Sequence, residues 1–267
     1  MQAGSVGYFA AATAIGAVVG FASGLLGKGG SAVTTPALRV FLGVPRFFAL
    51  ASPLPAALPT TLSAAYAYRG RGLIDPRAFV ITCVAGIPAT LLGSFASPYV
   101  GGHSLMLLTA IVVVGLGIGM LYHGEEQVAE SLAEGEPASR WRLTVIGIAV
   151  GFLAGLLANT GGVLYAPLFI KWARMETKRA LATSLVVSAV LAVPGTIAHA
   201  ALGHVDWLLV LALSIGTIPT SYLGARLAIR LKSVVLLRIY GAALTLFGLY
   251  DLVYTEREAL ARLFGHW

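Results

Sequence analysis

The chain has 267 residues, 58% of them hydrophobic and only 11% charged, with a formal net charge of +7. Soluble domains carry about 25% charged residues, so an ordinary soluble domain is excluded. The basic residues show no interleaving with aromatics of the kind nucleic-acid modules use. In so apolar a chain a positive balance first means basic loops between membrane spans.

The first apolar run covers residues 6–26. About 20 helical residues reach about 30 Å, the thickness of a bilayer core, and such runs are too long for barrel strands. No basic residue precedes Lys28, so the run lacks the charged leader of a cleaved signal and is expected to remain as a helix. A short apolar piece follows at 31–42, then long runs at 47–68, 77–98 and 104–122. Residues 123–140, HGEEQVAESLAEGEPASR, are the one clearly soluble stretch. A second set then runs 143–158, a short piece 162–174, and 180–202, 207–229 and 234–253. This divides the chain into a first transmembrane repeat (1–122), a soluble cytoplasmic linker (123–141), a second repeat (142–254) and a C-terminal tail (255–267). Cys83 is the single cysteine and no Cys/His cluster is present, so neither a disulfide nor a metal or cofactor site is expected.

The two sets are copies. At an offset of 131 residues Gly24 meets Gly155, Gly30 meets Gly161, Pro36 meets Pro167, and Ala51 meets Ala182. The register holds through Gly72/Gly203, Asp75/Asp206, Pro88/Pro219 and Gly93/Gly224. The short piece sets the relation between the copies. If it does not cross the membrane the repeats are parallel; if it crosses they are inverted. Lys and Arg concentrate on the cytoplasmic side. In the parallel arrangement they divide 10 against 7. In the inverted one, 13 fall on one side and only Arg39, Arg46, Arg257 and Arg262 on the other. The sequence therefore predicts an all-α polytopic membrane protein of two inverted repeats. Each has about four long helices and one short broken or re-entrant helix. Both termini lie outside and the linker inside.

Both copies place a glycine-rich break after the first helix: GFASGLLGKGGSAVTTP (20–36) and GFLAGLLANTGGVLYAP (151–167). Inverted repeats with interrupted helices are characteristic of secondary transporters, whose substrates bind near the midplane where helices break. Glycines let the backbone leave the helix, and free N–H groups at the next helix start favour an anion. Lys28 adds a full charge at a depth where charge is costly, and no Asp or Glu lies mid-span to pair with it. The candidate substrate residues are Gly27, Lys28, Gly29, Gly30 and Ser31 in the first break. Asn159, Thr160, Gly161 and Gly162 are their counterparts in the second, where Asn159 and Thr160 can donate hydrogen bonds.

Farther along, ALASPLP (49–55) aligns with ALATSLV (180–186), so Ser52, Thr183 and Ser184 are candidates to line the cavity. Hydroxyls in membrane helices also commonly bond their own backbone. His199, aligned with Tyr68, is a candidate for a proton-linked role or a structural histidine. Asp75 and Asp206 read as helix N-caps. Pro88 and Pro219 fall mid-helix, where they loosen the ladder.

At these motifs the sequence resembles the TauE/SafE (TSUP) family of transmembrane sulfite/sulfonate exporters. The carriers of the resemblance are the two glycine breaks with a following Pro, ALASPL and ALATSL, and GLID and GHVD. The resemblance implies a cytoplasmic-membrane permease for small anions, often sulfur oxyanions or organosulfonates such as sulfite or sulfoacetate. Ser31, Ala158 and Thr160 depart from the family's glycines, and Ser52-Pro53 stands where Thr-Ser is usual. The expected partners are a small anionic substrate, membrane lipid and a coupling proton or sodium ion, with homo-oligomerisation left open. A passive anion channel and a carrier of neutral or cationic solutes stay open on sequence alone. An enzyme would need clustered His, Asp, Glu or Cys at membrane depth, and His199 and Cys83 are too few.

Overall fold

A computed structural model describes residues 6–27, 31–97, 99, 102–122, 138–157 and 162–264. The elements among them are helical: α1 (Val6–Leu26), α2 (Ser31–Leu42), α3 (Arg46–Ala51), α4 (Pro53–Ala67), α5 (Pro76–Ala96), α6 (Gly102–Tyr122), α7 (Arg140–Leu156), α8 (Gly162–Lys171), α9 (Thr177–Ala201), α10 (Trp207–Arg230) and α11 (Ser233–Phe264). Among the described residues five stretches are long and apolar enough to cross a membrane: α1, α5, α9, α10 and Ser233–Tyr250 of α11. The protein is thus a multi-pass membrane protein. Large aliphatic and aromatic side chains such as Val84, Leu92, Phe95, Ile197 and Leu223 stand exposed on its outer faces. Water would penalise these faces, and lipid does not.

The boundaries follow local chemistry. Asp75 caps α5 by accepting the Ala78 N–H at Oδ1 (2.9 Å), with Pro76 at the first helical position. Asp206 caps α10 by accepting the Leu208 and Leu209 N–H groups at 3.0 and 3.2 Å. Gly72 and Gly203, three residues ahead of each cap, hold left-handed φ of 62° and 72°, which a side chain would strain.

One expected helix is divided. The run predicted as a single helix over 47–68 appears as α3 and α4, separated at Ser52. Ser52 keeps helical dihedrals (φ −62°, ψ −31°). What fails is the ladder: Pro53 and Pro55 bring no N–H, so the i→i−4 bonds from positions 53 and 55 are both missing. The counterpart, α9, has no proline there and runs unbroken. Pro88 and Pro219 lie inside the continuous helices α5 and α10. At the other end α11 continues past residue 253 as far as Phe264.

Packing crosses between the halves. The helices touch in the series α1–α10–α4–α9–α5–α7, with α6 against α11. Shifting every helix by 131 residues maps this series onto its own reverse. α9 lies at the centre, and 72% of its span is buried. Close approach at both ends of the series comes from small residues. A Cβ on Gly16, Gly20 or Gly24 would overlap the α10 backbone at Leu213, Thr217 or Ser221. One on Gly147, Gly151 or Gly155 would overlap α5 at Thr82, Gly86 or Thr90. Three glycines four apart make one flat face on a helix, which lets the backbones meet where lipid supplies no hydrophobic drive.

Candidate functional site: two helix breaks braced across the repeats

α1 ends at Leu26, and Gly27 turns the chain with φ +64°. A Cβ on Gly27 would meet Leu181 of α9 at 2.8–3.0 Å, so glycine is required by both conformation and space. The Gly27 carbonyl accepts a hydrogen bond from Ser184 Oγ at 2.7 Å, and the same hydroxyl reaches Leu181 O at 2.9 Å. Ser184 therefore holds the end of α1 against α9. Lys28, Gly29 and Gly30 lie outside the described residues, and Ser31 opens α2.

The second break begins after Leu156, where the Leu157 N–H donates to Leu153 O at 3.0 Å. Asn159, Thr160 and Gly161 lie outside the described residues, and Gly162 opens α8. The carbonyls of Gly162 and Val163 face the Tyr240 hydroxyl at 3.5 and 3.3 Å.

Beyond each break a short helix turns in toward the middle of the molecule. Thr34 of α2 lines a cavity with Pro53, Ala56, Ala57 and Thr60 of α4. Tyr165 of α8 is fully buried in a cluster with Val187 and Leu191 of α9. The two half-helices thus place their first turns against the N-terminal half of α4 and the middle of α9.

Ser52 and Thr183 are brought into equivalent positions. Ser52 Oγ accepts the Asp206 N–H at 3.0 Å, and Thr183 Oγ1 accepts the Asp75 N–H at 3.0 Å. Both hydroxyl residues are fully buried. Each half's cap aspartate is therefore docked on the other half's hydroxyl, a brace that occurs twice. The first of these junctions differs in one respect: Arg179 Nη2 pairs with Asp75 Oδ2 at 3.3 Å, and position 48, its counterpart, is Phe.

His199 is 5% exposed, at the last turn of α9. Neither ring nitrogen has a hydrogen-bond partner among the described residues. The backbone of Gly155 lies beside the ring without reaching hydrogen-bonding geometry, and the His204 ring centroid is 6.0 Å away. The aligned residue, Tyr68, is 1% exposed, and its hydroxyl is likewise unpartnered. Tyr68 packs with Ala182 and Leu185, within a turn of the α9 residues that hold Gly27. An orphaned polar group therefore stands near each break, although burying one without a partner is costly. Residue type alone did not single out Tyr68, and the signal that could have found it was its register with His199. The spacing of Gly16, Gly20, Gly24 and their copies was a second legible signal, pointing to the helix interfaces.

The chain is similar in sequence to several probable membrane transporter proteins. The chain is 25% identical over 255 residues to the probable membrane transporter protein YunE of Bacillus subtilis, covering 88% of this chain and 93% of YunE. It is 28% identical over 240 residues to a probable membrane transporter protein of Xylella fastidiosa (88% and 91% covered). It is 27% identical over 229 residues to the probable membrane transporter protein YdhB of Bacillus subtilis (82% and 90%). No solved structure matches. The sulfite exporter TauE/SafE family model matches residues 12–250, a range that takes in both breaks, both braces and all of the central helices. With the match running from the first helix to the last, the chain belongs to the TauE/SafE family of membrane transporters.

Proposed function

We propose that the protein is a secondary permease for a small anion, a sulfur oxyanion or organosulfonate such as sulfite or sulfoacetate. It works in the cytoplasmic membrane by alternating access between two inverted repeats. The observation that carries this reading is the pair of short helices, α2 and α8. Each starts at a helix break and turns its first residues against a central helix, the N-terminal half of α4 or the middle of α9. Paired half-helix N-termini near the midplane are a transporter's anion site. The reversed series of contacts fits a twofold relation between the repeats, which inverted repeats have about an axis in the membrane plane. The basic-residue split supports placing both termini outside.

In this reading Lys28 and the Gly29–Ser31 amides face the anion from one repeat. Asn159 and the Thr160–Gly162 amides face it from the other. The coupling ion is a proton or sodium, and His199 is the residue placed to sense a proton. Rocking of one repeat on the other then exposes the site alternately.

The test is uptake of labelled sulfite and sulfoacetate into proteoliposomes with an imposed proton or sodium gradient, for the parent and for Lys28→Ala. Concentrative uptake lost in the variant supports the reading. Uptake that only equilibrates indicates a channel, and equal concentrative uptake by both proteins removes Lys28 from the site.

A further inference from the structure

The 131-residue register exposes a difference at the heart of the molecule. Beside α2, Val19, Thr34, Ala56, Ala57, Thr60 and Leu213 line one cavity of about 10 Å3, room for a single water. The polar groups there are matched: the hydroxyls of Thr60 and Thr217 are hydrogen-bonded to each other at 2.6 Å. Beside α8 the residues at the positions of Thr34, Ala57 and Leu213 are Tyr165, Ser188 and Thr82. Three side chains carrying one hydroxyl become three carrying three.

By register these three positions are the counterparts of residues that line that one cavity. Val150, Tyr165, Val187 and Leu191, the equivalents of Val19, Thr34, Ala56 and Thr60, share one buried cluster with Cys83, the neighbour of Thr82. A Cβ on Gly86, one turn along α5 from Thr82, would touch Leu191, one turn along α9 from Ser188. Tyr165, Ser188 and Thr82 are each 0% exposed. None of the three hydroxyls has a hydrogen-bond partner among the described residues. A helical Ser or Thr ordinarily back-bonds the carbonyl four residues earlier, as Thr60, Thr61 and Thr220 do here. Ser188 and Thr82 do not.

We propose that Thr82, Tyr165 and Ser188 form a donor site that binds the oxygens of a small oxyanion between α5, α8 and α9. The inference rests on the anion-permease reading and adds to it a site away from the glycine breaks. Three buried O–H donors lacking an acceptor are complementary to a ligand that is all acceptor. No described His, Cys, Asp or Glu clusters to offer a metal ion the ligands it needs. Hydroxyls hold the anion without a fixed cation, so binding is firm enough to select and weak enough to release. The site is sealed in this structure, and α8, which carries Tyr165, is the ten-residue element whose displacement opens it.

The test is thermal shift of the purified full chain with sulfite, thiosulfate, sulfoacetate and chloride, with sodium held constant. The variants are Tyr165→Phe, Thr82→Val and Ser188→Ala, with Thr34→Val as the control in the first half. Removing an orphaned hydroxyl is neutral or stabilising, so the ligand-free Tm of Tyr165→Phe stays level or rises. Its oxyanion affinity falls by about tenfold or more, the expected effect of one charge-assisted hydrogen bond. Thr34→Val keeps the parent's oxyanion response. Oxyanion affinity unchanged in all three variants overturns the site and leaves the permease reading intact. A parent that responds to no oxyanion overturns both. A response to chloride equal to that to the oxyanions overturns the donor geometry.

Discussion

Two seams that the duplication made equivalent are held by different chemistry. Where α4 meets α10, Thr60 bonds Thr217 at 2.6 Å, Ser221 Oγ donates to Thr60 O at 3.0 Å, and Ser63 Oγ donates to Ile218 O at 2.7 Å. Where α9 meets α5, the same positions hold Leu191 against Gly86, an unpartnered Thr90, and Pro194. One seam is stitched by directional bonds, which fix register. The other is a leucine laid on a glycine, which fills space and leaves sliding open. The backbone arrangement survived duplication because helix packing needs only shape. The side chains were free to diverge, and under the proposed alternating access the second seam is the one we expect to move.

The largest effects are expected one helix out from the seams, at the glycine faces of α1 and α7 that pack on α10 and α5. Gly24→Leu and Gly155→Leu would each drive a side chain into a facing backbone. Overpacking costs about 1–3 kcal/mol and sometimes more. We expect either variant to give little folded protein by size-exclusion chromatography in detergent, and both to fail alike. Leu191→Ala attacks the apolar seam alone. A buried Leu→Ala change costs about 2–5 kcal/mol, read as a lower Tm. Thr60→Val at the equivalent position should cost only about 1 kcal/mol, because hydrogen bonds between membrane helices are individually weak. If Thr60→Val proved the more damaging, the stitched seam would be the structural one and the difference drawn above would reverse.

The two cap braces give a finer comparison. Asp206→Ala removes a cap worth about 1 kcal/mol. Asp75→Ala removes a cap that accepts one N–H rather than two, and also the Arg179 pair, so its Tm should fall by a similar amount. Arg179→Ala isolates the pair. The arginine is 46% exposed, so its effect should stay below about 1 kcal/mol and vanish in high salt. A larger, salt-insensitive loss would show that the pair is desolvated in the membrane.

Much of the architecture was legible because it is local. α1 and α2 begin and end where their apolar runs do, and Asp75 and Asp206 cap helices because a carboxylate followed by a helical run can do so within three residues. Pro53 and Pro55 carried the signal for the division at Ser52, yet the apolar run over 47–68 concealed it. At the candidate site, residue type named Ser52, Thr183, Ser184 and His199 but not what they touch. Ser184 meets Gly27, Ser52 meets Asp206 and Thr183 meets Asp75, each across more than a hundred residues. Lys28 and Asn159, the charge and amide that drew attention first, keep the standing they had as residue types. The sequence by itself determined the membrane environment, the duplication and the helix ends, because composition, register and capping act within a few turns. Only the tertiary structure decided which hydroxyls are engaged and which are orphaned, because that depends on the helix brought alongside, and no local interaction chooses that partner.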